Sequence, residues 1–189
     1  MRVAGGWVRD KVSHYSFILI NLHQVLGQTS NDIDISLDDM GGQEFAEIID
    51  KELYNGEHKF GVTKVNEEKT KFLQIANIVV CGFELDITNT WEWGTAAEDA
   101  QRRDLTINAL FYNINEDKVE DFTGRGIPDL KNGIIDTPDE PMVACDKDPM
   151  VILRTILFAS RLGYTIVSGV KEAALDPGIR TKLMENLAV

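Results

Sequence analysis

The fold is decided by the stretch Arg2-Val3-Ala4-Gly5-Gly6-Trp7-Val8-Arg9-Asp10, which is followed after an interruption by Asn31-Asp32-Ile33-Asp34-Ile35. Residues 2–4 predict a strand that ends on the glycine pair, and a helix is predicted to open near Val8. Arg9 and Asp10 would lie in the first turn of that helix, where exposed N–H groups favour an anion. The glycines would let the backbone approach phosphate, although by themselves they indicate only a tight turn.

The second part of this stretch carries two carboxylates on one strand. Asp32 and Asp34 are two residues apart, so both side chains leave the same face, while Ile33 and Ile35 enter the core. Mg²⁺ takes one or two carboxylates and fills its other positions with water and phosphate oxygens. The glycine pair and the carboxylate pair together predict a site for a nucleoside triphosphate and Mg²⁺.

The thirteen residues from Val12 to Gln24 separate these two parts and are rich in β-branched and aromatic side chains. One hypothesis is that they are translated from a short unspliced intron, because Val12-Ser13 can be encoded with a GT start and Gln24 with an AG end, and thirteen codons keep the reading frame. The alternative is a genuine lengthening of the helix after Arg9.

The composition is that of an ordinary soluble globular chain, since 43% of the 189 residues are hydrophobic and 26% are charged. A net charge of −12 argues against a nucleic-acid-binding protein held mainly by bulk electrostatics. Cys81 and Cys145 lack metal-ligand spacing, which argues against a zinc site or a disulfide framework and fits a reducing compartment. The apolar run 16–22 is too short to span a membrane.

Further along, residues 42–53 have apolar side chains at helical spacing. Residues 72–80 and 83–88 predict two strands joined by a tight turn. The apolar side chains of the second strand share one face, so Glu84 and Asp86 share the other. A third carboxylate beside the pair is expected from this strand, and Asp86 is preferred over Glu84.

Residues 97–114 place Arg102, Arg103 and Asp104 before a predicted apolar helix. The apolar positions of that helix are Ile107, Leu110 and Phe111. The arginines are suited to clamp phosphate, because the guanidinium fork matches phosphate oxygens, and Asn108 is suited to bind a ribose or a base. A salt-bridged helix start is the alternative interpretation.

Towards the C-terminus, a short strand at 119–122 and a short helix at 129–133 precede a predicted domain boundary at 138–141. Asp148, which is followed by proline, predicts the start of a helix that runs to Gly163. The core stripe of this helix is predicted to be Ile152, Ile156 and Ala159.

Five segments of the chain resemble the class II tRNA nucleotidyltransferases, or CCA-adding enzymes, and their poly(A) polymerase relatives. In chain order they are GGWVRD, the interrupted GQTSNDIDI, RRDLTINALFYNI, EDFTGRGIPDLKNGII and DPMVILRTILFASRLGYTI. They occur in the family's order and span nearly the whole chain. NALFYNI and EDFTGRG resemble the eukaryotic CCA-adding enzymes in particular.

The resemblance implies an α+β fold with a polymerase-β-like nucleotidyltransferase head, a mixed sheet with flanking helices, over residues 1–138. A partial all-helical neck would follow over residues 139–189, without body and tail domains. The implied reaction is transfer of CMP and AMP from CTP and ATP to tRNA 3′ ends with two Mg²⁺ ions. One ion would activate the tRNA 3′-hydroxyl and the other would stabilise the leaving pyrophosphate. The implied partner is tRNA, not DNA or a membrane, and the implied location is the cytoplasm, with mitochondria or the nucleus as further locations.

The resemblance also implies roles for individual residues. Asp32 and Asp34 would be the metal ligands and, with Asp86, the catalytic acids. The nucleotide site would be formed by Gly5, Gly6, Arg9, Asp10, Arg102, Arg103, Asp104, Asn108, Asp148 and Arg154. In this family a neck aspartate accepts a hydrogen bond from the amino group of the base, and an arginine donates to the ring nitrogen beside it.

The chain departs from the family at the base-reading positions. Asp148 matches the family aspartate, but Val151 and Leu157 stand where arginines are expected. Valine has no donor, so a charged hydrogen bond worth about 1.5–3 kcal/mol would be lost. The segment 89–95 is also short for the family's flexible loop, and Trp91 stands for an arginine near its start.

Three functions therefore stay open. The first is CCA addition, with low activity expected from these residues alone. The second is poly(A) polymerase-type RNA adenylyl transfer, and the third is a degenerate, non-catalytic nucleotide- or RNA-binding module. Extension of a tRNA lacking CCA with CTP alone would discriminate between the first two.

Overall fold

The structure, a computed structural model, describes residues 1–15, 32–57, 61–64, 74–89 and 94–188. Within these ranges the chain packs as two compact units. The first unit comprises Met1–Asp99 and Phe111–Glu120, and the second comprises Ala100–Leu110 and Asp121–Val189. None of the helices in the described ranges is long and apolar enough to cross a membrane.

The first unit is built on a seven-stranded mixed sheet in the order β3-β4-β5-β2-β1-β6-β7. The strands are β1 (Arg2–Ala4), β2 (Asp32–Leu37), β3 (Gly61–Lys64), β4 (Gln74–Val80), β5 (Phe83–Asn89), β6 (Phe111–Asn113) and β7 (Lys118–Glu120). β2 and β5 run parallel, and the other neighbouring strands are antiparallel. The predicted mixed sheet with flanking helices is confirmed.

Helix α1 (Gly6–Tyr15) follows β1 through Gly5, whose φ of 70° lies in the left-handed region that glycine tolerates. The helix begins earlier than the predicted start at Val8, and its first backbone bond runs from the Arg9 N–H to the Gly5 carbonyl. It includes the beginning of the Val12–Gln24 segment, and the rest of that segment lies outside the described residues.

One face of the sheet is apolar because alternate residues of its strands share it. Ile35 of β2, Ile87 of β5 and Ile78 of β4 are buried there with Ala46 of helix α2 (Gly42–Tyr54). The bounds of α2 confirm the helix predicted over residues 42–53. The opposite face carries Asp34 of β2 and the two acidic residues of β5.

The predicted apolar helix within residues 97–114 is wrong. The segment forms helix α3 (Ala96–Arg102), a 3₁₀ turn (Thr106–Asn108) and then β6. Oδ1 of Asp104 accepts from the Leu105 N–H at 2.8 Å, a local bond that competes with helical hydrogen bonding. The apolar residues that suggested the helix are all fully buried, and the polar Thr106 and Asn108 between them are buried as well, so the run is enclosed on every side; the apolar residues are Ile107, Leu110 and Phe111.

Apart from the 3₁₀ turn, the second unit consists mainly of helices. They are α4 (Gly126–Asn132), α5 (Pro141–Lys147), α6 (Met150–Leu162), α7 (Ser168–Leu175) and α8 (Pro177–Leu187). Two short parallel strands, β8 (Ile134–Ile135) and β9 (Thr165–Ile166), pair with each other. The predicted boundary between residues 138 and 139 lies inside this unit, and the division into head and neck stays a prediction.

Helix α6 confirms the helix predicted after Asp148, but its predicted core stripe is partly wrong. Val151, Ile152 and Thr155 are buried, whereas Ile156 is 53% exposed. Apolar residues surround most of this helix, so periodicity does not identify its buried side. That side is set by tertiary packing of Val151 and Ile152 in one cluster with Cys145 of α5.

The EDFTGRG segment organises the start of α4. The Asp121 carboxylate accepts from the first two backbone N–H groups of the helix, at 3.3 and 2.9 Å, which satisfies donors that have no partner inside the helix. Arg125 donates to the Asp136 carboxylate at 2.6 Å and to the next two carbonyls at 2.7 Å. Gly126 lies so close to Thr106 that no side chain fits between them.

Gly126→Ala is predicted to destabilise the protein. The added carbon would lie 2.7 Å from the Thr106 carbonyl oxygen and from a Leu110 methyl carbon. Overpacking of this kind typically costs about 1–3 kcal/mol. Gly61→Ala is the matched control, because nothing lies within 4 Å of its added carbon. Urea unfolding measures both variants, and an unchanged unfolding free energy for Gly126→Ala would contradict this packing.

A mostly buried ion pair joins β1 to β7 in the first unit. Arg2 donates to the Glu120 carboxylate at 2.6 Å, and Asn113 of the intervening β6 donates to the same carboxylate at 3.1 Å. Burial alone would raise the pKa of Glu120. The hydrogen bonds from Arg2 and Asn113 and the charge of Arg2 outweigh burial, so this pKa lies below its ordinary value.

Glu120→Gln is predicted to lower stability at neutral pH by about 1–3 kcal/mol and to flatten the loss of stability in acid. A lowered carboxyl pKa gives stability that is fully present above the unfolded glutamate pKa of about 4.3 and is lost as the pH falls through the folded value. Urea unfolding at neutral and acidic pH measures both effects. Glu116→Gln, at an exposed position, is the control. Equal acid dependence of wild type and Glu120→Gln would refute the assigned cause.

Candidate active site

Asp34 and Asp86, two of the predicted catalytic acids, lie on the face of the first unit's sheet opposite the apolar core. The parallel register of β2 and β5 places Asp34 beside Asp86 and Asp32 beside Glu84. Residues paired in this way share one face of the sheet, and neighbouring strands are about 4.8 Å apart. The register therefore brings the predicted third acid, Asp86, next to the predicted pair.

Asp86 has a hydrogen-bond partner that was not predicted. Asn77 of β4 is its register partner across the antiparallel β4–β5 pair, and Asn77 Nδ2 donates to Asp86 Oδ1. A signal for this contact exists in the sequence. Cys81 and Gly82 form a two-residue turn with φ values of 52° and 84°, and a turn of that length sets the register of the whole hairpin.

The carboxylates of Asp34 and Asp86 are suited to bind a divalent cation. Carboxylate oxygens are preferred Mg²⁺ ligands, and Asp34 and Asp86 supply them from adjacent strands. Asp32 is placed by its backbone on β2, two residues before Asp34, and its side chain is not among those described. Among the described side chains, no group of three His, Cys, Asp or Glu could hold a metal ion. A three-acid site would thus require Asp32.

The predicted phosphate cradle is the turn between β1 and α1. The N–H groups of the first turn of α1, beginning at Gly6, point out of the helix end and favour an anion. A Cβ on Gly6 would lie 3.4 Å from Arg9 Nη2, so the guanidinium packs against this turn. Arg9 is only 6% exposed and forms an ion pair with Asp10 at 2.8 Å. The buried Arg9 side chain, which is paired with Asp10, thus stabilises the turn by packing against it.

The second unit joins three of the predicted nucleotide-binding residues in an ion-pair network. Arg154 Nη1 lies 3.4 Å from Asp148 Oδ2 and 3.8 Å from Asp104 Oδ2. Asp104 Oδ1 accepts from Asn108 Nδ2 at 3.2 Å, and Asp148 Oδ1 accepts from the Met150 N–H at 3.0 Å. Each aspartate therefore binds locally through one oxygen and faces Arg154 with the other.

The paired arginines of the RRD segment differ from each other. Arg102 ends α3 and is exposed, whereas Arg103 is half-buried. Arg103 Nη1 donates to the carbonyl oxygen of Asn108 at 3.4 Å. Arg103 therefore supports the 3₁₀ turn, whereas Arg102 lies at the exposed end of α3.

The positions where arginines were expected also differ from each other. Val151 is 4% exposed and belongs to the core of the second unit, whereas Leu157 is 60% exposed on the surface of α6. Trp91, the third position, lies outside the described residues. The side chain at position 151 is therefore part of the apolar core of the second unit.

Val151→Arg is predicted to destabilise the protein by about 3 kcal/mol or more, because a charge without a partner would enter an apolar cluster. Leu157→Arg, on the same helix, is the matched control and should change stability by no more than about 0.5 kcal/mol. Urea unfolding of both variants measures the difference. Equal stabilities would show that position 151 is accessible to a charged side chain.

Comparison with known proteins agrees with this architecture. A family model described as the poly A polymerase head domain matches residues 1–136. The mitochondrial CCA tRNA nucleotidyltransferase of Candida glabrata is 40% identical over 95% of this chain and 35% of its own length. Poly(A) polymerase I of Escherichia coli O6:H1 is 43% identical over 39% of this chain and 16% of its own length.

A solved structure of a CCA-adding enzyme in complex with ATP is similar with a TM-score of 0.66 and 27% identity, over 97% of this chain and 38% of that one. The chain spans about a third of the length of the curated tRNA nucleotidyltransferases that it matches. The predicted family and the predicted α+β fold class are confirmed. Because the match covers residues 1–136, the chain belongs to the poly A polymerase head-domain family, which includes tRNA nucleotidyltransferases.

Proposed function

We propose that the protein transfers CMP and AMP from CTP and ATP to tRNA 3′ ends without a nucleic-acid template. The observation that carries this proposal is the parallel register that pairs Asp34 with Asp86 on the polar face of the sheet. The similarity to the C. glabrata enzyme extends over 95% of the chain, whereas that to the poly(A) polymerase covers 39%. This difference favours CCA addition over RNA adenylyl transfer.

Asp32 and Asp34 would hold Mg²⁺, for which two ions are expected, with Asp86 as the third catalytic acid. When bound, such ions favour deprotonation of the attacking 3′-hydroxyl and neutralise charge on the leaving pyrophosphate. The chain's own contribution is to fix the acids before substrate arrives. Ile35 and Ile87 anchor the two strands in the core, so the acids beside them need little reorganisation.

Gly5, Gly6 and the start of α1 would receive the triphosphate through backbone N–H groups. The Arg9–Asp10 ion pair supports this turn, and it is electrically neutral as a pair. Arg102 is suited to bind phosphate oxygens directly, because it is exposed and its guanidinium fork donates to two oxygens at once.

Asp148 and Arg154 would read the base, with Asp104, Asn108 and Arg103 as their support. C and A both present an amino donor next to a ring-nitrogen acceptor, and a carboxylate beside a guanidinium complements that edge. The 3.4 Å approach of Arg154 to Asp148 supplies such a pair. The contact to Asp104 at 3.8 Å favours the same position of the guanidinium.

The proposed partner is tRNA through its 3′ end, with no DNA or membrane partner. The mitochondrial relative supports a mitochondrial location beside a cytoplasmic or nuclear one. Because the chain corresponds to 35% of that relative, low activity is expected from residues 1–189 alone. A suitable test therefore joins these residues to the C-terminal part of the C. glabrata enzyme.

The test is incubation of this chimera with Mg²⁺, a tRNA lacking CCA, and CTP alone or ATP alone. Addition of C from CTP is expected. Asp34→Asn should lower the rate by more than about 100-fold. Removal of a residue that only hydrogen-bonds to a metal ligand typically costs about 10–100-fold, and Asp34 is itself a proposed ligand. Glu116→Gln, at an exposed position of the same unit, should leave the rate unchanged.

The alternatives give different outcomes in the same assay. Extension with ATP alone and no use of CTP would support RNA adenylyl transfer. Binding of CTP without incorporation would support a non-catalytic binding module and contradict the proposal.

A further inference from the structure

We propose that Asn77 is a positioning residue for Asp86, which it holds in the orientation needed to bind a divalent cation. This inference rests on the proposed function, in which Asp86 is an acid of the metal site. It adds a residue from β4, a strand from which the sequence motifs identify no site residue.

The contact follows from the topology of three neighbouring strands. Asp86 on β5 is flanked by Asn77 on β4 and by Asp34 on β2. Register partners share a face of the sheet, so the three side chains form a row across the strands on the polar face. Asp86 stands in the middle of this row and is half-buried, whereas its two neighbours are exposed.

The direction of the hydrogen bond is set by chemistry. An ionised carboxylate only accepts, so the Asn77 amide nitrogen is the donor to Asp86 Oδ1. A donor fixed on one oxygen restricts rotation of the carboxyl group. The other oxygen, Oδ2, then keeps one direction and can serve a cation shared with Asp34. Outer partners of this kind orient metal ligands in many proteins.

Asparagine suits this position better than its alternatives. It is disfavoured in strands, so local propensity does not explain it. Its neighbours Ala76 and Ile78 are buried on the opposite face, so packing does not explain it either. A lysine or arginine would place a positive charge beside the site and repel a cation, and an aspartate would add a like charge next to Asp86. A neutral amide donates without either cost.

The second acid of β5 provides an internal comparison. Glu84 has Val79 as its partner on β4, and the valine side chain has no donor. Asn77 and Val79 lie on the same strand and the same face, two residues apart. The hairpin therefore supplies an orienting donor to Asp86 and none from the matching position to Glu84.

The test is direct binding of Mn²⁺ to residues 1–189, measured by electron paramagnetic resonance without nucleotide or RNA. Asn77→Leu keeps the approximate size and removes the donor, and it should weaken Mn²⁺ binding by about 10-fold. Val79→Ala is the matched control and should leave binding unchanged. Asn77→Gln keeps an amide and should bind Mn²⁺ more tightly than Asn77→Leu. Thermal unfolding identifies any variant that fails to fold. If Asn77→Leu fails to fold, the Mn²⁺ affinity of Asn77→Gln is compared with that of Val79→Ala instead.

Coupling to Asp86 is measured in a double-mutant cycle. In an Asp86→Asn background, Asn77→Leu should cause no further loss. Wild-type affinity in Asn77→Leu, or an equal loss in both backgrounds, would overturn the proposal. If Asp34→Asn weakens binding but Asp86→Asn does not, this inference fails while the proposed metal site stands. If neither variant changes binding, the proposed metal site itself is refuted.

Discussion

The parallel pairing of β2 with β5 is the constraint on which the first unit depends. Each strand alternates isoleucine with an acid, so Ile35 and Ile87 meet on one face while Asp34 and Asp86 meet on the other. A slip of either strand by one residue would move its acid into the apolar core and its isoleucine into water. Burial of the core and assembly of the acids therefore require the same register, and neither can be changed without the other.

The second unit fixes the orientation of a predicted base-reading residue in a different way. Asp148 stands between α5 and α6, where Oδ1 accepts from the first N–H of α6 and Oδ2 faces Arg154. Its orientation is thus fixed by a helix end, independently of any ligand. Val151 lies one turn along on the buried side of the same helix. A valine there improves core packing and gives up a donor, which leaves Arg154 as the cation next to the predicted base-reading aspartate.

Much of this arrangement could be predicted from the sequence, because alternation and helical spacing report which face of an element is buried. That reasoning identified β2, β5 and α2 and placed Asp86 with Asp34. It failed over residues 97–114, because residues 105–111 are buried whether they are polar or apolar. It also failed at Ile156, because apolar residues occupy most sides of that helix and periodicity does not indicate its buried side. The contact of Asp104 with Arg154 joins residues fifty positions apart through tertiary packing, and no local pattern encodes it. The contact of Asn77 with Asp86 was predictable in principle from the two-residue turn.

The EDFTGRG segment is connected to Arg154, the neighbour of the predicted base-reading Asp148, through a chain of contacts inside the second unit. Asp121 caps α4, and α4 carries Asp129, whose pKa is raised mainly by burial although Thr106 Oγ1 donates to it at 2.6 Å. Thr106 begins the 3₁₀ turn that ends at Asn108, and Asn108 donates to Asp104. Asp104 in turn faces Arg154. A motif with no predicted contact to nucleotide therefore contributes to the position of the Arg154 guanidinium, because its glycine and aspartate form the packed turn from which this chain of contacts begins.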